Sequence, residues 1–389
     1  VLLSYAVLNL IPFDSYAIAW DAKQGLYLIL TFLAAAAPFL FSGLVIGRLL
    51  AQQAGGAHRV YAANLIGSAA GCLLALPLLN WFRGEGALLL SSGMGLLAAS
   101  SYFSQSFSGR RRPAALTLPL AGLAALITLA ATRPPWVQVR LSPYKGLEQA
   151  ALAPGAVHTF SEWNAVARID VIESDSIHAL PGLSLNAMLM QPPCQAGLTR
   201  DGDNLAPITS LSPSDDLTKR LAENVPQGIA PLLRPDFTAL VLEPGGGWDA
   251  LMLLAGGAER VTLVERNALV LDLMGGDYAA FSHGLYTNPR MTVVHADGRA
   301  YAHHTAEVFD VVDIALSDSF HPVMSGAYSL GEDYRYTVEA IGDYLDRLTP
   351  NGLLMVTRWL QTPPTESPRT LASIAAALHA RDLDPATHI

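Results

Sequence analysis

Five apolar stretches follow one another along the first third of the chain: residues 1–11, 25–50, 60–82, 86–104 and 114–132. Each of the last four approaches the roughly 20 residues that a helix needs to cross a hydrocarbon core. Small residues crowd them, as in Gly67-Ser68-Ala69-Ala70-Gly71, and let helices approach closely where lipid removes the usual apolar drive. The pattern predicts a multi-pass α-helical membrane domain over 1–135, with about five helices, the first one partial. Arg133-Pro134-Pro135-Trp136 closes it, since paired prolines stop a helix and a Trp suits an interface.

The period then changes. Short alternating runs such as Ala165–Glu173 lie between Gly, Pro, Asn and Asp clusters and predict a small β-rich lobe. Residues 191–235 are rich in Pro, Ser and Asp and predict loop with a short helix. The lobe and this linker occupy 136–235. Beyond them Ala239–Glu243, Arg260–Glu265, Met291–His295, Val308–Ala315 and Leu353–Thr357 read as buried strands, with helices near 250–256 and 337–348 between them. Strands alternating with helices imply a parallel sheet covered on both faces, so 236–389 is read as a Rossmann-like α/β domain.

Composition sharpens the division. The chain is 51% hydrophobic and 15% charged, against about 25% charged residues for ordinary soluble domains. Residues 1–135 carry eight Lys/Arg and three Asp/Glu, and the remaining residues carry 16 and 30. An apolar, weakly basic front joined to an acidic back is two domains. The acidic balance argues against nucleic acid as a partner, because phosphate neutralisation needs clustered Lys and Arg. Cys72 and Cys194 form no framework and no metal-ligand spacing is present, so no metal is expected. Val1–Ile11 reads as the tail of a helix already under way, and Pro385–Ile389 stops where another strand could begin; the chain is expected to be a piece of a longer one. Arg48, Arg59 and Arg110–Arg112 mark two loops as cytoplasmic. Single crossings by the three later stretches would then place the soluble domain outside. One helix more or fewer reverses that, and the side stays open.

The candidate chemistry lies in the back half. A strand, the turn Gly245-Gly246-Gly247 and a helix bring backbone N–H groups beside a ligand, with Asp249 in the first helical turn. Glu265 ends the next strand, where the two hydroxyls of a ribose could meet it. Asp297, followed by Gly298 after the third strand, is placed to accept from the exocyclic amine of a purine. Together they predict a nucleoside site.

Leu240–Glu265 and Asn288–Tyr301 resemble the nucleoside-binding core of spermidine synthases and their membrane-bound bacterial relatives, and Gly326–Trp359 matches the same group downstream. Pro38–Gly47 and Arg59–Gly71 are similar to the transmembrane part of those relatives. The resemblance implies a methyltransferase-type Rossmann fold. It also implies S-adenosylmethionine or its decarboxylated form as cofactor, with Gly245, Gly247, Glu265 and Asp297 at matching positions. The family's proton-accepting Asp at the end of the fourth strand is matched here by Ala315, and a second Asp by Asp318. Asp313, one pleat deeper, and His321 beside Asp318 are further catalytic candidates. The family's acidic acceptor segment has no clear match beyond Asp201-Gly202-Asp203. Two functions follow: a membrane-bound transferase using a small nucleoside donor, or a non-catalytic subunit of a membrane complex that keeps the fold as a scaffold. Either would be an integral protein of a bacterial inner membrane, with the lipid bilayer as partner.

Overall fold

A computed structural model describes every residue except 15–16, 53, 107–110, 188–189, 191–192, 318–332 and 361–363, and within helices it leaves undescribed the side chains of 19, 54, 103–106, 111–116 and 118. The chain forms two units: Val1–Ser142 with Trp163–Ala165, and Pro143–Glu162 with Val166–Ile389.

In the first unit the apolar runs form α1 (Leu2–Leu10), α2 (Lys23–Gln52), α3 (Ala57–Ser106) and α4 (Arg111–Thr132). The stretches 60–82 and 86–104, expected as separate helices, are the two limbs of α3 on either side of a kink. Their boundary survives as a break at Arg83, whose φ of 63° is left-handed. Glycines let α3 and α4 come together: a Cβ at Gly93 would lie 2.6 Å from a methyl of Leu123. Leu89, Leu126, Ala130 and Val137 form a small buried cluster there. Elsewhere the helices turn large apolar side chains outward, with Phe39 80% and Leu73 77% exposed. Among the described residues two helices, Lys23–Gln52 and Ala57–Tyr102, are long and apolar enough to cross a membrane, and Pro119–Thr132 is apolar but shorter.

The second unit begins with α5 (Gly146–Ala150) and a four-stranded sheet, β1 (Val157–Trp163), β2 (Arg168–Glu173), β3 (Gln195–Arg200) and β4 (Asp203–Thr209), in sequential order. β2, β3 and β4 pair antiparallel. β3 and β4 fall within the stretch expected to be mostly loop. They form because Ala196, Leu198 and Ile208 are fully buried in the main core. Asp201-Gly202 makes the turn, with φ of 52° and 70°, and two successive positive φ values are what a tight hairpin turn of matching twist requires. The polar linker then contributes α6 (Asp216–Ala222) and α7 (Ile229–Leu233).

The α/β part contains β5 (Thr238–Leu242), α8 (Trp248–Ala255), β6 (Arg260–Glu265), α9 (Ala268–Gly275), β7 (Met291–His295), α10 (Gly298–His304), β8 (Phe309–Ile314), α11 (Val338–Leu345), β9 (Leu348–Val356), α12 (Glu366–His379) and α13 (Pro385–His388). Its sheet is parallel throughout, in the order β7-β6-β5-β8-β9. Numbered within the sheet this is 3-2-1-4-5, the order of a Rossmann-like α/β fold, in which the chain reverses direction of growth beside the first strand. The central strands are largely apolar because both faces are covered. One face meets a core that includes Val241, Leu251, Val261 and Leu263. The other meets a cluster containing Leu240, Val312, Ile341 and Tyr344. A ligand crevice in such a sheet lies at the carboxyl ends of the strands, beside that reversal.

Candidate functional site

β5 ends at Leu242 and the chain bends sharply. Glu243 takes a φ of 54°, Gly245 57° and Gly247 86°. A left-handed φ costs a non-glycine residue about 1–2 kcal/mol, and the Glu243 carboxylate is held by Arg335 Nη1 at 3.2 Å and Arg266 Nε at 3.7 Å. Gly247 is the N-cap of α8.

The glycines also accommodate this chain's own backbone. A Cβ on Gly246 would stand 2.1 Å from the Pro207 carbonyl oxygen in β4, and one on Gly247 would stand 2.6 Å from Leu285. Tyr286 donates its hydroxyl to the Gly245 carbonyl at 2.7 Å. The turn is therefore packed beneath the β3–β4 hairpin and the segment after α9.

Glu265 ends β6, next to the turn, and is fully buried. One oxygen accepts from the Asn267 backbone N–H at 2.9 Å and the other from Arg200 Nη2 at 2.7 Å. Asp297 follows β7 and is exposed. It caps α10, accepting from the Ala300 N–H at 3.0 Å. Gly298 lies against Leu242 at the end of β5, where a Cβ would stand 3.3 Å from the leucine. The structure thus brings Gly245–Gly247, Glu265 and Asp297-Gly298 to the ends of three adjacent strands. Asp297→Ala should cost about 1 kcal/mol through the lost cap, read as a lower thermal midpoint.

Asp249 and Asp313 form a second cluster with Gln227, a residue that no sequence pattern marks. The Gln227 amide nitrogen donates to Asp249 Oδ1 at 2.5 Å and to Asp313 Oδ2 at 3.2 Å. Burial pushes the Asp249 carboxyl up to about 6. Burial, then the nearby Asp249 charge, raises Asp313 well above the usual carboxylate range. Asp313 Oδ1 and Gln227 Oε1 have no hydrogen-bond partner among the described residues. Asp249 also lines a small cleft with Asn204, Pro244, Trp248, Leu316 and Trp359. Asp313 is fully buried on β8, and Ala315 just beyond the strand is 2% exposed. Asp318 and His321 lie outside the described residues.

Arg200, Gln227 and Glu243 are the site residues that the sequence did not disclose. Among the described residues no group of three or more His, Cys, Asp or Glu is placed to hold a metal.

No protein-family model matches the chain. Part of it is similar to two curated bacterial proteins. It is 30% identical over 107 residues to polyamine aminopropyltransferase 1 of Pseudomonas aeruginosa, covering 27% of this chain and 36% of that one. It is 31% identical over 140 residues to the polyamine aminopropyltransferase of Nitrosomonas europaea, covering 35% of this chain and 40% of that one. The chain therefore spans two fifths or less of the relatives it matches. Among solved structures, spermidine synthase from Thermotoga maritima aligns with a TM-score of 0.38 and 18% identity, over 57% of this chain and 63% of that one.

Proposed function

We propose that this chain is a bilayer-anchored protein whose α/β unit binds S-adenosylmethionine or its decarboxylated form and transfers a group from it to an amine. The observation that carries the reading is the ordered trio of glycine turn, Glu265 and Asp297 at the ends of β5, β6 and β7. The local similarity to polyamine aminopropyltransferases supports the same chemistry. The anchor is supported by α2 and α3, which expose Phe32, Phe39, Phe41, Ile66 and Leu73. That much outward apolar surface suits contact with lipid.

Within this reading the glycine turn offers backbone N–H groups, Asp297 accepts from the purine amine, and Glu265 accepts from the ribose hydroxyls. The bound donor supplies an electrophilic carbon whose bond to a sulfonium sulfur breaks as an amine attacks, the electron pair staying on sulfur. The attacking nitrogen must lose a proton to a carboxylate within reach. Asp249 lines the cleft, and at about 6 its carboxyl is matched to accept a proton near neutral pH. Asp318 and His321 remain proposed contributors. Decarboxylated S-adenosylmethionine incubated with putrescine and the detergent-solubilised full chain should yield methylthioadenosine. Asp249→Asn should lower that turnover by about 100-fold, the usual scale of a lost acid-base group. Turnover undiminished in Asp249→Asn removes the role given to Asp249, and none with any polyamine in a protein that binds the donor removes the transferase reading.

Ala315 favours a second reading. It stands buried where the resemblance expects a proton-accepting Asp, which suits a subunit that keeps the fold without turnover. Co-purification of a stoichiometric membrane partner, together with no turnover, would decide for it.

A further inference from the structure

β3 does not run evenly into its hairpin. Its register with β4 shifts between Leu198 and Arg200, and such a bulge re-aims the side chain that follows. Here it sends Arg200 across to the carboxyl ends of the parallel sheet. Arg200 Nη2 meets Glu265 at 2.7 Å, Nη1 lies 3.9 Å from Glu243, and the guanidinium is 3.9 Å from where a Cβ of Gly245 would be. Beside it, Asn204 donates its amide to the Ser317 carbonyl at 2.6 Å, and Pro207 covers Gly246. One hairpin thus covers the turn after β5, the acid ending β6 and the backbone beyond β8.

The outcome is uneven across the trio. Asp297 is exposed, whereas Glu265 is 0% exposed, with its oxygens engaged by Asn267 N–H and Arg200. An ionised carboxylate only accepts hydrogen bonds. A ribose offers it two hydroxyl donors and a guanidinium offers N–H donors to the same face, so the two compete for one acceptor.

We propose that the β3–β4 hairpin is an internal occupant of the nucleoside site, with Arg200 standing in for the ribose at Glu265. A nucleoside then binds only as Arg200 withdraws. The inference rests on the nucleoside reading above and adds a residue that tunes it. When the competent state is a minor fraction of the molecules, observed affinity falls by that fraction. Weakening the stand-in therefore tightens binding without touching the ligand.

The test is calorimetric titration of the full chain in detergent with methylthioadenosine, comparing wild type with Arg200→Met, Arg200→Lys and Asn204→Ala. Arg200→Met should bind at least about tenfold more tightly, because Glu265 is left needing donors. Arg200→Lys should fall between it and the wild type, since a compact ammonium makes a poorer pairing than the planar fork. Asn204→Ala loosens the hairpin and leaves no buried charge unpaired, so it carries the test if Arg200→Met fails to fold, with tightening of a few-fold expected. Equal or weaker binding by the variants, with the wild type binding measurably, overturns the stand-in and leaves the nucleoside reading intact. Saturable binding by none of the folded proteins overturns both.

Discussion

Asp313→Asn should raise the thermal midpoint at pH 8 by about 5 °C, corresponding to about 1–3 kcal/mol for a unit of this size. Asp313 is completely buried on β8, and it shares the Gln227 amide with Asp249. Two carboxyls sharing one amide cannot both ionise cheaply away from water. Both are held above the ordinary carboxylate value, Asp249 at about 6 and Asp313 also well raised, with burial the leading cause. The folded state therefore keeps protons that the unfolded chain gives up near pH 4. Stability is complete below that value and is lost as pH rises through about 6 at Asp249, with the ionisation of Asp313 adding to the loss. The Asp249 shift alone corresponds to about 3 kcal/mol. Asparagine cannot ionise, and its nitrogen can donate to Gln227 Oε1, which has no partner among the described residues. Melts from pH 4 to 9 should show a shallower decline in the variant. A variant less stable than wild type at pH 8 would mean that other groups stabilise the ionised pair.

Gly246→Ala should be the most damaging small change in the α/β unit, destabilising it by about 3 kcal/mol or more. The added methyl would meet the Pro207 carbonyl oxygen at 2.1 Å and its carbon at 2.6 Å. Both are backbone atoms inside a paired strand, so relief requires the hairpin to lift off the turn. Gly245→Ala is the informative comparison. Its nearest neighbour would be Ala206 Cβ at 3.4 Å, leaving chiefly the left-handed φ of 57°, worth about 1–2 kcal/mol. Thermal unfolding of the pair should place Gly246→Ala well below Gly245→Ala. The reverse order would mean that the hairpin does not pack on the turn.

The parallel sheet was legible because its central strands are covered on both faces and its edge strand β7 is itself an apolar run. Arg260–Glu265 and Met291–His295 occupy the spans their composition predicts, and apolar runs bounded by turn residues need no partner to be recognised. Glycine turns and strand-end acids are local features, so Gly245–Gly247, Glu265 and Asp297 could be picked out one by one. The hairpin was harder. Asp201-Gly202 stands out as a pair, but its structural role as a two-residue turn depends on β3 and β4 burying Leu198 and Ile208 together. Arg200 and Gln227 were illegible for a related reason. Their partners lie 65 residues away at Glu265, and 22 and 86 residues away at Asp249 and Asp313, and no period or spacing links positions so far apart. In the first unit, hydropathy marked the apolar runs, whereas the sharp kink between two of them depends on the backbone of Arg83 alone.

The turn, Glu265 and Asp297 are proposed to form a nucleoside site. This is tested most directly by titrating the folded full chain in detergent with S-adenosylmethionine, decarboxylated S-adenosylmethionine and methylthioadenosine, beside Asp297→Ala. Saturable binding of at least one of them is expected, weakened about tenfold or more when the Asp297 carboxylate is removed. No heat of binding with any of the three, or binding indifferent to Asp297, would contradict it.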